Sequence, residues 1–440
     1  MNSRLIVKNH MLEIVLIIAL LFFLGNLTTP ILSAIALIVL LFTVLLNDRV
    51  ENYYILYFFI PNIRIADSLG NSFFINLVFF LIGILLLIEK RVIIKEGMYF
   101  TCLIAVLSLI HLFENTYSFS TIIPFINLVF NVLVFCLLLS NKTIELKTEL
   151  AVQYLSLGII YSLISYLFIN PSMLEQLFVS NYRLAGFGDD PNYLSIYILI
   201  SISFSLLFCR SSNKVFLLSL NIVLLFVLGL LTSSKMFILC LFLIVFAFLA
   251  STIIYINKKA SNALVIILCI IAVVVLFLFD KVVILINKVV GRFGESIFDS
   301  SSFSLDTFST GRIDIINHYL SEANSNLFSI LFGRGINYNL FYSSYLGDYR
   351  AVHNTYLDVY LSWGIVGTVL FIIFLSLLLK KTCNFKKATD FYDYVPLVIL
   401  LLSLFSLSCL TADMFWYVLL LVLNPFKNRI SINKGDQTVV

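Results

Sequence analysis

Apolar runs, many of about 17–25 residues, recur along the chain, from "MLEIVLIIALLFFLG" at 11–25 to the shorter "MFWYVLLLVLN" at 414–424. A helix needs about 20 such residues to cross a hydrocarbon layer of about 30 Å. In lipid every backbone polar group must be satisfied internally, so runs of this kind fold as helices. Hydrophobic residues make up 61% of the 440-residue chain and charged ones 12%, about half the charged share of a soluble domain. The expected fold is all-α: a polytopic membrane helix bundle of 12–14 transmembrane helices.

The spans are expected at 11–25, 30–46, 52–61, 71–88, 98–113, 121–139, 150–169, 190–209, 215–231, 235–256, 262–280, 355–380, 393–410 and 412–424, with 393–424 as one long kinked helix in an alternative reading. With both termini inside, only nine of 28 Lys and Arg fall outside: Arg64, Arg183, Lys235, Lys281, Lys288, Arg292, Arg312, Arg334 and Arg350. That asymmetry obeys the positive-inside rule, and deleting one span would put "EKRVIIK" or "KKTCNFKK" on the wrong side. Arg4 and Lys8 ahead of the first run, with no small-x-small cleavage site after it, read as a retained signal anchor. The organisation expected is a transmembrane bundle over 1–280, a large extracytoplasmic loop with amphipathic helices over 281–354, transmembrane helices over 355–424 and a cytoplasmic tail over 425–440.

A net charge of +4, dispersed along the chain, excludes a nucleic-acid partner as the main reading. The seven cysteines and four histidines show no metal-ligand spacing, so neither metal nor cofactor is expected. No GxxxxGK[ST] loop is present to support ATP-driven transport. "GRFG" and "GRG" read as turns rather than phosphate cradles. In "GDDP" Asp190 reads as the start of a helix, at its positive end.

Five potentially cationic residues gather at expected outer helix mouths: Arg183 in "RLAGFGDDPNYLS", Lys235 in "LTSSKMFIL", Arg312 and Arg334 in "STGRIDIINHYL…LFGRGI", and His353 in "HNTYLDVYLSWGIVG". Any one of the arginines or the lysine alone is explained by snorkelling to headgroups, and His353 alone by a structural hydrogen bond to a neighbouring helix. After Arg312, capped by Ser309 or Thr310, the spacing of Ile313, Ile316 and Leu320 predicts one apolar helix face. Asp358 lies about one and a half turns into a span, where a carboxylate costs about 2.5–3.5 kcal/mol. A polar cavity or a cationic partner is expected for it.

These four motifs, in this order and ahead of a late span, resemble the bacterial O-antigen polymerase and ligase family. The resemblance covers the architecture of nearly the whole chain, with the motifs in 183–367. It implies a GT-C-like, membrane-embedded glycosyltransferase of the bacterial inner (plasma) membrane, with its site facing the periplasm or cell exterior. Its donor is an oligosaccharide on undecaprenyl pyrophosphate, moved en bloc to an acceptor hydroxyl. Membrane lipids, a flippase and a chain-length regulator are the implied partners. By position Arg183 matches the arginine before the Gly…Pro-Asn element, Arg312 the loop arginine, and His353-Asn354 the His-Asn pair opening the late span. Ser234-Lys235 stands where many relatives have Ser-Arg; lysine keeps the charge and loses the two-point grip.

The chemistry suits these residue types. Arginines bind a diphosphate through charge-assisted, two-point hydrogen bonds, and histidine activates or orients a hydroxyl near neutral pH. Arg183, Arg312 and His353 are therefore the candidate catalytic residues, with Lys235, Arg334, Asn192, Asn354 and Asp358 as substrate-binding support. Polymerase is the first reading and O-antigen ligase the alternative. A lipid-linked oligosaccharide flippase is the alternative of another class, disfavoured because no internal repeat is apparent.

Overall fold

The computed structural model describes residues 11–27, 30–46, 57–59, 95–114, 125–126, 128–129, 131–133, 135–136, 139, 148–179, 182–186, 190–255, 258–277, 280–281, 283–284, 287–288, 290–291, 312–336, 338, 352–382, 391–409 and 415–423. Every regular element among them is helical. The span expected at 71–88 lies outside the described residues, as do Ser309 and Thr310.

The helices are α1 (Met11–Leu27), α2 (Pro30–Leu46), α3 (Lys95–Glu114), α4 (Thr148–Ile169), α5 (Pro171–Val179), α6 (Pro191–Cys209) and α7 (Val215–Leu231). They continue as α8 (Lys235–Tyr255), α9 (Lys258–Phe277), α10 (Arg312–Ala323), α11 (Leu327–Phe332), α12 (Thr355–Thr382) and α13 (Val395–Ser403). Among the described residues, four are long and apolar enough to cross a membrane: Thr148–Ile169, Pro191–Cys209, Lys235–Tyr255 and Thr355–Lys380. Apolar side chains stand on the surface of α8, where Phe242 is 73% and Ile253 75% exposed; such a face is stable in contact with lipid. The chain is a polytopic helical membrane protein.

Two compact units make up the chain. The first comprises Met1–Ile82, Glu145–Gly291 and Lys387–Leu400. Its centre is α6, buried along both halves of its length and packed by α4, α7 and α8. Hydrophobicity on every side suits such a helix, and its buried Ser195, Ser201, Ser203 and Ser205 let neighbours approach closely. Asn221 of α7 ties three helices together, its Nδ2 donating to Ser156 Oγ of α4 and Ser205 Oγ of α6, each at 3.3 Å.

The second unit comprises Gly83–Ile144, Arg292–Lys386 and Leu401–Val440. Here α3 lies along α12, with the Phe100 and Phe374 rings stacked at 4.3 Å and Trp363 Nε1 donating to Ser108 Oγ at 3.1 Å. α10 buries Ile315, Tyr319 and Ala323 against Tyr338, Val352 and Leu361. The apolar face differs from the one expected: Ile313 and Leu320 are only half-buried, because Tyr319, the largest side chain on the helix, carries the stripe inward with Ile315.

Two spans are interrupted. α12 is broken at Gly364, whose φ of 64° and ψ of −161° are non-helical. α13 ends at Ser403, and 404–409 run irregularly before helix is described again at 415–423, an interruption longer than the kink of the alternative reading of 393–424 as one long kinked helix. Irregular backbone at membrane depth persists only where protein satisfies it. Thr355, the first residue of α12, does so: its N–H donates to Leu404 O at 2.8 Å and its hydroxyl to Leu407 O at 2.5 Å, while Cys409 N donates to Thr355 Oγ1 at 2.9 Å.

Candidate functional site

Three of the four long apolar helices begin at one of the sequence motifs: α6 at Pro191, α8 at Lys235 and α12 at Thr355. In the first unit, α6 starts where the sequence reading placed it. Asp190 is its N-cap, accepting from Asn192 N at 2.8 Å, and Pro191 occupies the first turn, where its missing N–H is no loss. α8 is capped by Ser234, whose Oγ accepts from Phe237 N at 3.4 Å. Ser233 just before it has φ 47°, a left-handed conformation rare outside glycine.

The side chains of these two helix starts meet. Asn192 Oδ1 accepts from Arg183 Nη2 at 3.0 Å and from Ser234 Oγ at 2.8 Å. Arg183 Nε donates to Thr232 O at 3.1 Å, and Leu184 N to Leu231 O at 3.0 Å, which docks the Arg183 segment on the end of α7. Lys288 adds a second anchor, its Nζ donating to Leu177 O at 3.2 Å and to Tyr182 O. Tyr182 also shares a 2.6 Å hydrogen bond with Tyr166. Burial, and then that neighbour, push its phenol above the usual range. The structure thus brings Arg183, Asn192 and the Ser234-Lys235 corner together.

In the second unit, α12 starts with the same device. His353 has φ 51°, and Asn354 caps the helix, its Oδ1 accepting from Leu357 N at 3.1 Å. His353 is half-buried at this corner. Asp358, 9% exposed, does not meet a cation among the described residues. Its Oδ1 accepts from the Tyr338 hydroxyl at 2.5 Å. The phenol, rather than a cation, meets it because the chain after α11 folds back along α12. Arg312, the first residue of α10, donates from Nη1 to Ser406 O at 3.1 Å in the interrupted stretch after α13.

Arg334 is placed by backbone. Its N–H donates to Leu361 O at 2.9 Å and that of Gly335 to Ser362 O at 2.8 Å, on the carbonyls that the break at Gly364 leaves without helical partners. The approach is close: a Cβ on Gly333 would lie 2.4 Å from the Ser362 carbonyl, and one on Gly364 2.3 Å from Leu331 C. "GRG" is therefore a clasp on a broken span, and its amides are turned to carbonyls rather than to an anion. Among the described residues no three His, Cys, Asp or Glu side chains gather as a metal site.

The O-antigen ligase family model matches residues 193–372. This stretch is similar to the O-antigen ligase family. It contains Lys235, Arg312, Arg334, His353, Asn354 and Asp358, while Arg183 and Asn192 lie just ahead of it. No curated protein matches the chain. The match and the helical membrane architecture support a membrane-embedded enzyme of the polysaccharide polymerase and ligase type. Sequence reasoning missed Thr232, Ser234, Tyr338 and Thr355 as the groups that hold its candidate residues. "TSSK" offered a cap signal for Ser234, but nothing near Tyr338 in sequence pointed to Asp358.

Proposed function

We propose that the protein transfers an oligosaccharide en bloc from undecaprenyl pyrophosphate to an acceptor hydroxyl at the outer face of the bacterial inner (plasma) membrane. Supporting it is the placement of cations where helix geometry opposes them. Lys235 is the first residue of α8 and Arg312 the first of α10. The positive end of a helix disfavours a cation there by about 0.3–1 kcal/mol and favours an anion. An anionic substrate head reconciles the two.

In the first unit, Arg183 and Lys235 with Asn192 are assigned to the diphosphate. In the second, His353 is assigned to the acceptor hydroxyl, with Asn354 and Asp358 supporting the corner that holds it. Arg312 and Arg334 are assigned to negative charge on the substrate. The O-antigen ligase match favours ligation, with a glycolipid core as acceptor, over the polymerisation put first on sequence grounds. Polymerisation stays as the second reading because the motifs are shared.

The surface glycan of a strain lacking the protein separates these readings. Loss of all attached glycan, with long lipid-linked polymer accumulating, is the result expected for ligation. Single repeats still attached to core assign polymerisation instead. Single lipid-linked repeats held on the cytoplasmic face would overturn both and revive a flippase.

A further inference from the structure

Asn192 is 8% exposed, and its side-chain oxygen accepts from both Arg183 and Ser234. A guanidinium only donates, so the atom 3.0 Å from Arg183 Nη2 is the carboxamide oxygen and the amide cannot be flipped. Nδ2 is therefore fixed on the opposite side of the carboxamide. Among the described residues it has no hydrogen-bond partner, and it is not sealed from solvent. An amide held this way presents both N–H groups to whatever enters the opening, water or a ligand oxygen, without first having to break a bond within the protein. Its setting selects what that is. Asn192 lies in the first turn of α6 and is bonded to the cap of α8, so the positive ends of two helices flank it. Arg183 and Lys235 add cationic charge, while the Asp190 carboxylate is engaged in capping α6.

We infer that Asn192 is a substrate-contacting residue whose Nδ2 donates to an oxygen of a diphosphate head group, with Arg183 and Ser234 fixing its orientation. This rests on the transferase reading for the identity of the diphosphate. It differs from that reading in its division of labour. Arg183 acts partly as a positioning residue, and the neutral amide makes the contact. Two donors on one nitrogen distinguish a phosphate oxygen from the bare charge that a lysine alone would attract.

The test uses the full-length protein purified in detergent, with farnesyl diphosphate and inorganic pyrophosphate as probes and thermal stabilisation as the readout. Asn192→Asp keeps an oxygen for Arg183 and Ser234 but removes the donors. The neutral Asn192→Ser separates that loss from the added charge. Both variants are expected to stay folded, with a cooperative probe-free thermal transition, and to bind farnesyl diphosphate about tenfold to a hundredfold more weakly, each read as stabilisation relative to its own probe-free midpoint. Stabilisation by farnesyl diphosphate alone assigns the contact to a lipid-linked head; stabilisation by both probes assigns it to any diphosphate. Wild-type affinity in both variants, or no stabilisation of wild type by either probe, overturns the inference. Glycan transfer is measured on the same proteins. Asn192-dependent binding without transfer by wild type removes the transferase reading alone, whereas transfer unchanged in both variants removes the inference alone.

Discussion

Tyr338 donates its phenol proton to the carboxylate of Asp358 across 2.5 Å, which locks the segment after α11 onto the first turns of α12. A hydrogen bond to a charged partner contributes about 1.5–3 kcal/mol. Tyr338→Phe is therefore expected to lower the thermal midpoint in detergent, and Asp358→Asn to lower it less, because an amide still accepts from the phenol. A midpoint unchanged in Tyr338→Phe would show that the pair contributes nothing.

The same pair predicts alkaline behaviour. Burial first, and then the neighbouring Asp358 carboxylate, raise the Tyr338 hydroxyl above its ordinary value of 10.0. The folded protein then holds this proton more tightly than the unfolded chain does. Its contribution is complete below pH 10 and declines as pH rises beyond it. Unfolding midpoints measured from pH 8 to 11 should fall more steeply for wild type than for Tyr338→Phe above pH 10.

At Gly364 a methyl group meets Leu331 backbone at 2.3 Å, in a conformation with φ of +64°. Gly364→Ala is expected to cost about 1–3 kcal/mol from backbone strain alone, and more from the overlap. Gly291→Ala, where nothing lies within 4 Å, is the matched control. Equal folded yields of the two variants by size-exclusion chromatography would dismiss the clasp as a determinant of folding.

His353 is held at φ 51°. Replacing it by alanine or by glycine removes the imidazole equally, but only glycine adopts this conformation without strain. Both variants should lose glycan transfer at normal protein levels. Glycine should unfold at a higher temperature than alanine, by the equivalent of about 1 kcal/mol. Transfer retained by either one excludes the imidazole from the chemistry.

Arg183→Lys keeps the charge but cannot reach both Thr232 O and Asn192 Oδ1 as the guanidinium does. Transfer is expected to fall more than tenfold, about the effect of 1.4 kcal/mol. Lys235→Arg should retain transfer and Lys235→Gln should reduce it. Rates measured with membranes of equal protein content decide both.

Much of this was legible in the sequence for a physical reason: the patterns are local. Asp190-Pro191 announces a helix start within two residues, and the apolar lengths announce α4, α6, α8 and α12. The motif cations were found because charge is conspicuous in so apolar a chain. What sequence did not disclose depends on distant partners. Gly364 reads as an ordinary small residue in a span until the amides of Arg334 and Gly335, about thirty positions earlier, take up the carbonyls it exposes. The inward place of Tyr319 on α10 likewise depends on Tyr338 and Leu361, far from it in sequence, while Ile316 of the expected apolar face packs against the same cluster.

The clasp also bears on how the chain is made. While the Leu361 and Ser362 carbonyls lack partners, the upper part of α12 is poorly suited to lipid, where each unmatched polar group costs several kcal/mol. The amides that match them belong to residues 334 and 335, which leave the ribosome before the span does. Synthesis order therefore delivers the partner first, and this helix can enter the bilayer with its gap already closed.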